Sequence, residues 1–220
     1  PGPFTDQVAL ILLDQDSLDW AREQSGLSWP WPREVYSFVV SFCDRAGVRA
    51  LAFDVLFSEP SKYGVYDDQA LGAAVEGSGR FVGSLFLGHE SGDATDWPPE
   101  IPEPELDIQG LDAWLGRARP RQVIFPRASF PVLEIARNAR AIANVQLAPD
   151  PDGVYRRTSL FQVFAGRAVP SLALAAYAVG APERPDLRIR PGGLVVDGYT
   201  VPIDASGGTI LRFRGPSGTH

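Results

Sequence analysis

Three short apolar runs, at 8–13 (VALILL), 48–53 (VRALAF) and 81–87 (FVGSLFL), alternate with segments of helical period. Runs of this length and character are those of strands buried on both faces, the pattern of an α/β sheet. The first run ends at Asp14 and the second at Asp54. Between them Pro32 suits the first turn of a helix. Val35, Phe38, Val39, Phe42 and Ala46 then recur at helical spacing, and Gly47 supplies the stop. After a loop at 58–66, Asp67 or Asp68 suits the cap of a short helix running to Ser78. The order β-α-β-α-β predicts parallel pairing with right-handed crossovers.

The second half reads differently. Residues 131–139 predict a helix and 141–146 a strand. Pro151-Asp152-Gly153 marks a turn between extended segments, and 157–164 alternates as a strand does. Ser171 caps an alanine-rich helix that ends at Gly180, with Pro182 beyond it. From 187 to 214, strand patterns separated by Gly-Gly and Asp-Gly pairs predict a small antiparallel meander. The stretch 89–120 carries Trp97-Pro-Pro and Pro102-Glu-Pro104 and little periodicity. It reads as a long surface insertion, a class of loop that is functional or mobile. The expected fold is therefore α/β in a single domain over 1–220: a mixed sheet with a βαβαβ parallel first half flanked by helices, and a strand-rich antiparallel second half.

Composition narrows the function. The net charge of −7, without a basic run, argues against nucleic acid as a partner. A single cysteine, Cys43, can form neither an internal disulfide nor a cysteine-based zinc site, and its apolar helical neighbours predict a buried, inert thiol. No stretch reaches the ~18 apolar residues of a membrane span, and the expectation is a soluble segment. Methionine is absent even at position 1, which predicts a processed chain or a segment of a longer protein.

Few residues invite chemistry. Asp14-Gln-Asp16 after an apolar run resembles the way haloacid-dehalogenase-type phosphatases present their nucleophile and acid. The sole lysine, Lys62, and the acidic pair Asp67-Asp68 come too early in the chain for that scheme. Asp14, Asp16 and Asp54 would share one sheet edge if the first strands are parallel, with Asp67 or Asp68 near them. Hard cations take such oxygen ligands, whereas the alternative has each carboxylate cap a helix or fix a turn. No ligand spacing of an EF-hand loop occurs, and neither metal nor cofactor is assigned. Trp29-Pro-Trp31-Pro-Arg33 offers two readings. It forms an aromatic, anion-reading pocket, or its rings pack the crossover and Arg33 pairs with Asp14 or Asp54. No Gly-rich phosphate loop, GxSxG or HExxH motif is present.

Several pieces taken in order resemble the CHASE2 family. They are Asp14-Gln-Asp-Ser-Leu18, Trp29-Pro-Trp-Pro-Arg33, AFDVLFSEP at 52–60, Asp67-Asp68 before a helix, DGVYRR at 152–157, PSLALA at 170–175 and ILRFRG at 210–215. The likeness runs from about 6 to 215, with WPWPR and AFDVLFSEP its specific parts, and the stretch 89–120 departs from the compact family pattern. What the resemblance implies is an extracytoplasmic sensory module of a bacterial transmembrane receptor. The module itself would be non-catalytic, and the parent would carry a histidine kinase, nucleotide cyclase, diguanylate cyclase or protein kinase output.

Its expected partners are a small-molecule or physical stimulus, the transmembrane and output regions of the same chain, and a second copy in a homodimer. The crevice outside strand carboxyl ends is where ligands bind in open α/β sheets. The candidate ligand-binding residues are therefore Asp14, Asp16, Trp31, Arg33, Asp54 and Ser58. The competing function is a soluble phosphatase or hydrolase using Asp14 and Asp16.

Overall fold

The computed structural model of the protein describes residues 7–212. The chain divides into two compact units, Pro1–Pro32 with Arg212–His220, and Arg33–Leu211.

In the smaller unit, residues 8–13 belong to no strand or helix, and Val8, Leu10, Ile11, Leu12 and Leu13 are exposed. This corrects the expected first buried strand. An apolar run specifies a preference for burial but supplies no ladder partner of its own. Asp14 therefore ends no strand. It caps α1 (Gln15–Ser25), which closes on Gly26 in the left-handed region at φ 67°.

The larger unit opens with α2 (Arg33–Arg45), followed by β1 (Leu51–Ala52). The helix lies where its period predicts, but its buried face is Arg33, Tyr36, Val40 and Cys43. Phe38 and Phe42 point outward, 66% and 59% exposed. Burial raises the pKa of the Cys43 thiol, which suits an inert side chain. The loop after β1 carries Asp54 and Ser58, both exposed, and leads to α3 (Val65–Ser78) and β2 (Phe81–Gly88).

Residues 89–120 hold β3 (Ile108–Gln109) and α4 (Leu111–Leu115). Trp97, Ile101 and Ile108 from this stretch are buried, and the Trp97 indole N–H donates to the Ile101 carbonyl at 3.0 Å. A short helix α5 (Pro120–Val123) and strands β4 (Ile124–Phe125) and β5 (Arg127–Ser129) follow, then α6 (Leu133–Ala136) and β6 (Ala141–Asn144).

β2 is the centre of this half. It pairs in parallel with β1 and β6, and antiparallel with β5 along its last three residues. Of the expected βαβαβ, β1, α3 and β2 follow the predicted order, and the third parallel strand is β6, which comes after α6 in the second half. α3 and α6 meet at Gly72, where a Cβ would lie 2.2 Å from the Glu134 carbonyl oxygen. No side chain fits there.

The expected strand at 157–164 is two, β7 (Arg157–Ser159) and β8 (Phe161–Phe164), followed by β9 (Arg167–Pro170) and α7 (Leu172–Gly180). Ser171 caps α7 as expected, accepting from the Leu174 amide at 3.3 Å. Ala175, Leu172 and Val179 of this helix pack on Val82 and Ala143 of the parallel sheet. β10 (Leu187–Arg190), β11 (Gly193–Val196) and β12 (Tyr199–Val201) form the antiparallel meander, and β10 also pairs in parallel with β3. β13 (Gly208–Ile210) pairs with β7. Residues 213–214 of the expected meander and 213–215 of the last motif lie outside the described residues. The molecule is thus a mixed α/β protein with parallel and antiparallel strands, as its sequence pattern predicts.

Candidate functional site

A buried polar cluster in the larger unit surrounds the start of α2. A helix leaves its first amide groups without intrahelical partners. At α2 these groups are met from α3: the Asp67 carboxylate accepts the Arg33 amide at 2.8 Å and the Glu34 amide at 2.9 Å. One carboxylate on one helix thus caps another, with its charge at the positive end of the dipole.

The neighbouring Asp68 forms an ion pair with the Arg33 guanidinium, whose other nitrogen donates to the Glu59 carbonyl. Ser61 ties the intervening loop to the same cluster. Its amide donates to Asp68 at 3.0 Å and its hydroxyl to Asp67. The Arg33 side chain is 10% exposed and that of Asp68 3%. A buried charge is tolerated only with such partners. Burial opposes ionisation of Asp67. The Ser61 hydroxyl, the two helix amides and the Arg33 charge outweigh it and hold the carboxyl below its ordinary pKa.

An aromatic wall backs the cluster. The guanidinium carbon lies 5.1 Å from the Phe57 ring centroid. Phe57 meets Tyr36 edge-on at 5.3 Å, and Phe53 meets both Tyr36 and Phe81. The specific motif AFDVLFSEP is legible in these terms: Phe53 and Phe57 face inward, whereas Asp54 and Ser58 face solvent. Beyond them Tyr63 is exposed, with the Lys62 ammonium 4.9 Å from its ring.

The expected partner of Arg33 was Asp14 or Asp54; the structure gives it Asp68 instead. The demand for a carboxylate was sound, but a partner 35 residues away carries no local signal. Asp67 and Asp68 were expected as caps of their own helix. α3 begins earlier, after Gly64 without a side-chain cap, which frees both carboxylates for α2.

Three candidate residues belong to the smaller unit. Asp14 accepts from the Ser17 hydroxyl at 2.7 Å and the Ser17 amide at 3.0 Å, which lowers its pKa. Asp16 is exposed in the first turn of α1. Trp31 is half-buried and stands edge-on to Trp29, with centroids 6.5 Å apart. The other three, Arg33, Asp54 and Ser58, belong to the larger unit.

Elsewhere, the DGVYRR turn is an ionic clip. Arg156 reaches Asp152 at 2.8 Å, and Arg157 reaches Asp150 at 3.0 Å. A cavity of about 570 Å³ opens between β3, the start of α4 and the β8–β9 turn, lined by Asp107, Asp112 and Arg167 among others. None of the six candidates lines it. Sequence reading reached this region only as part of 89–120. Among the described residues no three His, Cys, Asp or Glu stand close enough to hold a metal ion, and no helix is long and apolar enough to cross a membrane.

The CHASE2 family model matches residues 2–220, essentially the whole chain. The chain belongs to the CHASE2 family. CHASE2 domains are extracytoplasmic sensory domains of transmembrane receptors. No curated protein matches the chain. No solved structure matches it. In this chain Arg33 is the centre of the cluster, AFDVLFSEP supplies its aromatic wall, and Asp67-Asp68 closes it. Arg33, the AFDVLFSEP segment and Asp67-Asp68, dispersed in sequence, meet at one junction of the larger unit.

Proposed function

We propose that this chain is the non-catalytic input module of a bacterial transmembrane signalling receptor. Its output would be a histidine kinase, nucleotide cyclase, diguanylate cyclase or protein kinase on the same polypeptide. The observation that carries the reading is the family match over 2–220. The stimulus-reading surface is the loop that bears Asp54 and Ser58, and Arg33 behind it is a positioning residue. The loop's backbone is tied to Arg33 at Glu59 and to Asp68 at Ser61. A ligand or force that displaces the loop therefore changes the restraint on both α2 and α3. Interfaces of this kind have discrete packings, which suits them to switching.

A receptor anchored in a membrane passes a signal by altering a relation between chains or between chain ends. The proposal therefore includes a homodimer of the parent. The capping of α1 by the Asp14 carboxylate weighs against the hydrolase reading.

The test is the parent reading frame together with its output. Flanking apolar segments of ~20 residues and an output domain support the reading. In the full-length receptor, Ser58→Arg changes output while the domain remains folded. A parent without membrane segments, or magnesium-dependent phosphatase turnover abolished by Asp14→Asn, overturns it.

A further inference from the structure

α2 presents a stripe to solvent that is apolar at its middle and oppositely charged at its ends. Glu34, Phe38, Phe42 and Arg45 are all exposed. At 100° per residue they fall within an arc of about 80°. The opposite face of the helix is committed to the protein through Tyr36, Val40 and Cys43. Phe38 and Phe42, one turn apart and each more than half exposed, form an apolar patch at the middle of this face. Asp44, beside the stripe, is engaged by Arg80 at 3.1 Å. Among the described residues neither Glu34 nor Arg45 has an ion-pair partner.

The stripe is complementary to itself when reversed. Phe38 and Phe42 stand two residues to either side of Val40, and Glu34 and Arg45 stand six and five. An antiparallel pair of α2 helices about a two-fold axis near Val40 sets Phe38 against Phe42 of the second copy. The same register brings Glu34 to Arg45 of the second copy, twice by symmetry. A parallel pair would set Glu34 against Glu34 and Arg45 against Arg45, which is repulsive.

We infer that α2 is a homodimer surface, docking antiparallel on α2 of a second copy through Phe38 and Phe42, with Glu34–Arg45 pairs at both ends. An isologous contact of this kind requires only one patch. The inference gives a surface to the dimer proposed above and rests on that reading only for the existence of a dimer. A 13-residue helix is about 20 Å long. One helix pair covers less than the ~1,200–2,000 Å² of a stable interface, so the chain self-associates weakly, with Kd between about 1 μM and 1 mM.

Sedimentation equilibrium of the 220-residue chain, up to millimolar concentration, tests this. The wild type forms a dimer. Phe38→Glu is monomeric, with an unchanged far-UV spectrum. Glu34→Arg weakens the dimer at least tenfold, and the double reversal Glu34→Arg/Arg45→Glu restores it. A structural role of either residue would not give that rescue. Oxidative crosslinking fixes the register: a mixture of Phe38→Cys and Phe42→Cys chains crosslinks, and neither does so alone. A dimer indifferent to these substitutions overturns the surface and leaves the dimer reading standing. A chain monomeric throughout overturns the inference, while dimerisation of the parent is read from the full-length receptor. A monomer in which the Phe38→Cys thiol resists labelling shows that another segment of the same chain covers α2, and also overturns the inference.

Discussion

Asp67 caps a helix to which it does not belong: its Oδ2 accepts the Arg33 amide hydrogen at 2.8 Å and its Oδ1 that of Glu34. The start of α2 is therefore held by tertiary structure. The loop between β1 and α3 is held through Ser61 by Asp67 and by its neighbour Asp68. The three elements thus share one pair of neighbouring carboxylates.

Removing this cap should be costly for one side chain. Asp67→Ala is expected to destabilise the chain by about 1–2 kcal/mol, the upper part of the range for lost helix caps. Asp67→Asn keeps an acceptor and should lose less. Urea unfolding measures both, and an Asp67→Ala midpoint equal to wild type would contradict the capping role.

The cap also predicts an acid response. The folded state holds Asp67 below its ordinary pKa, so its ionised form is favoured by folding. Its contribution is complete above the unfolded value of ~3.9 and is lost as pH falls through the lower folded value. Stability measured from pH 6 down to pH 2 should fall more steeply in wild type than in Asp67→Asn. Parallel curves would contradict the assignment.

The Arg33–Asp68 pair is buried on both sides, and breaking it strands a charge. Arg33→Ala should cost about 3–5 kcal/mol. Arg33→Lys keeps the charge but not the fork that serves Asp68 and the Glu59 carbonyl together, and is not conservative here. The double variant Arg33→Ala/Asp68→Ala should cost less than the sum of its singles, because the residues share one interaction. Strict additivity in a double-mutant cycle would contradict the pairing.

Local signals were readable in the sequence, and distant ones were not. The run at 81–87 became β2 because its residues are buried on both faces. Ser171 caps the start of α7 as its side-chain chemistry requires, and the helix ends at Gly180, with extended Ala181 as its C-cap. The run at 8–13 was equally apolar yet forms no ladder, since pairing depends on a neighbour the run does not encode. The helical period placed α2 correctly but not its inward face. Phe38 and Phe42 are more apolar than Arg33, yet Arg33 is the buried one, because Asp67 and Asp68 arrive from 34 and 35 residues away. The site shares that gap: Arg33 and Ser58 are candidates by local reading, whereas Asp67 and Asp68, which hold Arg33 and Ser61, read locally as caps of their own helix.

The stretch 89–120 supplies another check. Trp97 is 6% exposed and meets Phe130 at 4.9 Å and Phe164 at 6.4 Å. Trp97→Ala should cost about 3–5 kcal/mol, as for other buried aromatics. A loss below about 1 kcal/mol, the central value for point substitutions, would show that this stretch contributes little to the core.

The most direct test of the sensory account is the output of the full-length parent in native membranes, at matched expression, for wild type, Ser58→Arg and Arg33→Lys. The account predicts that both variants shift basal output by about fivefold or more, the lower end of typical allosteric coupling. Wild-type output from both folded variants would contradict it.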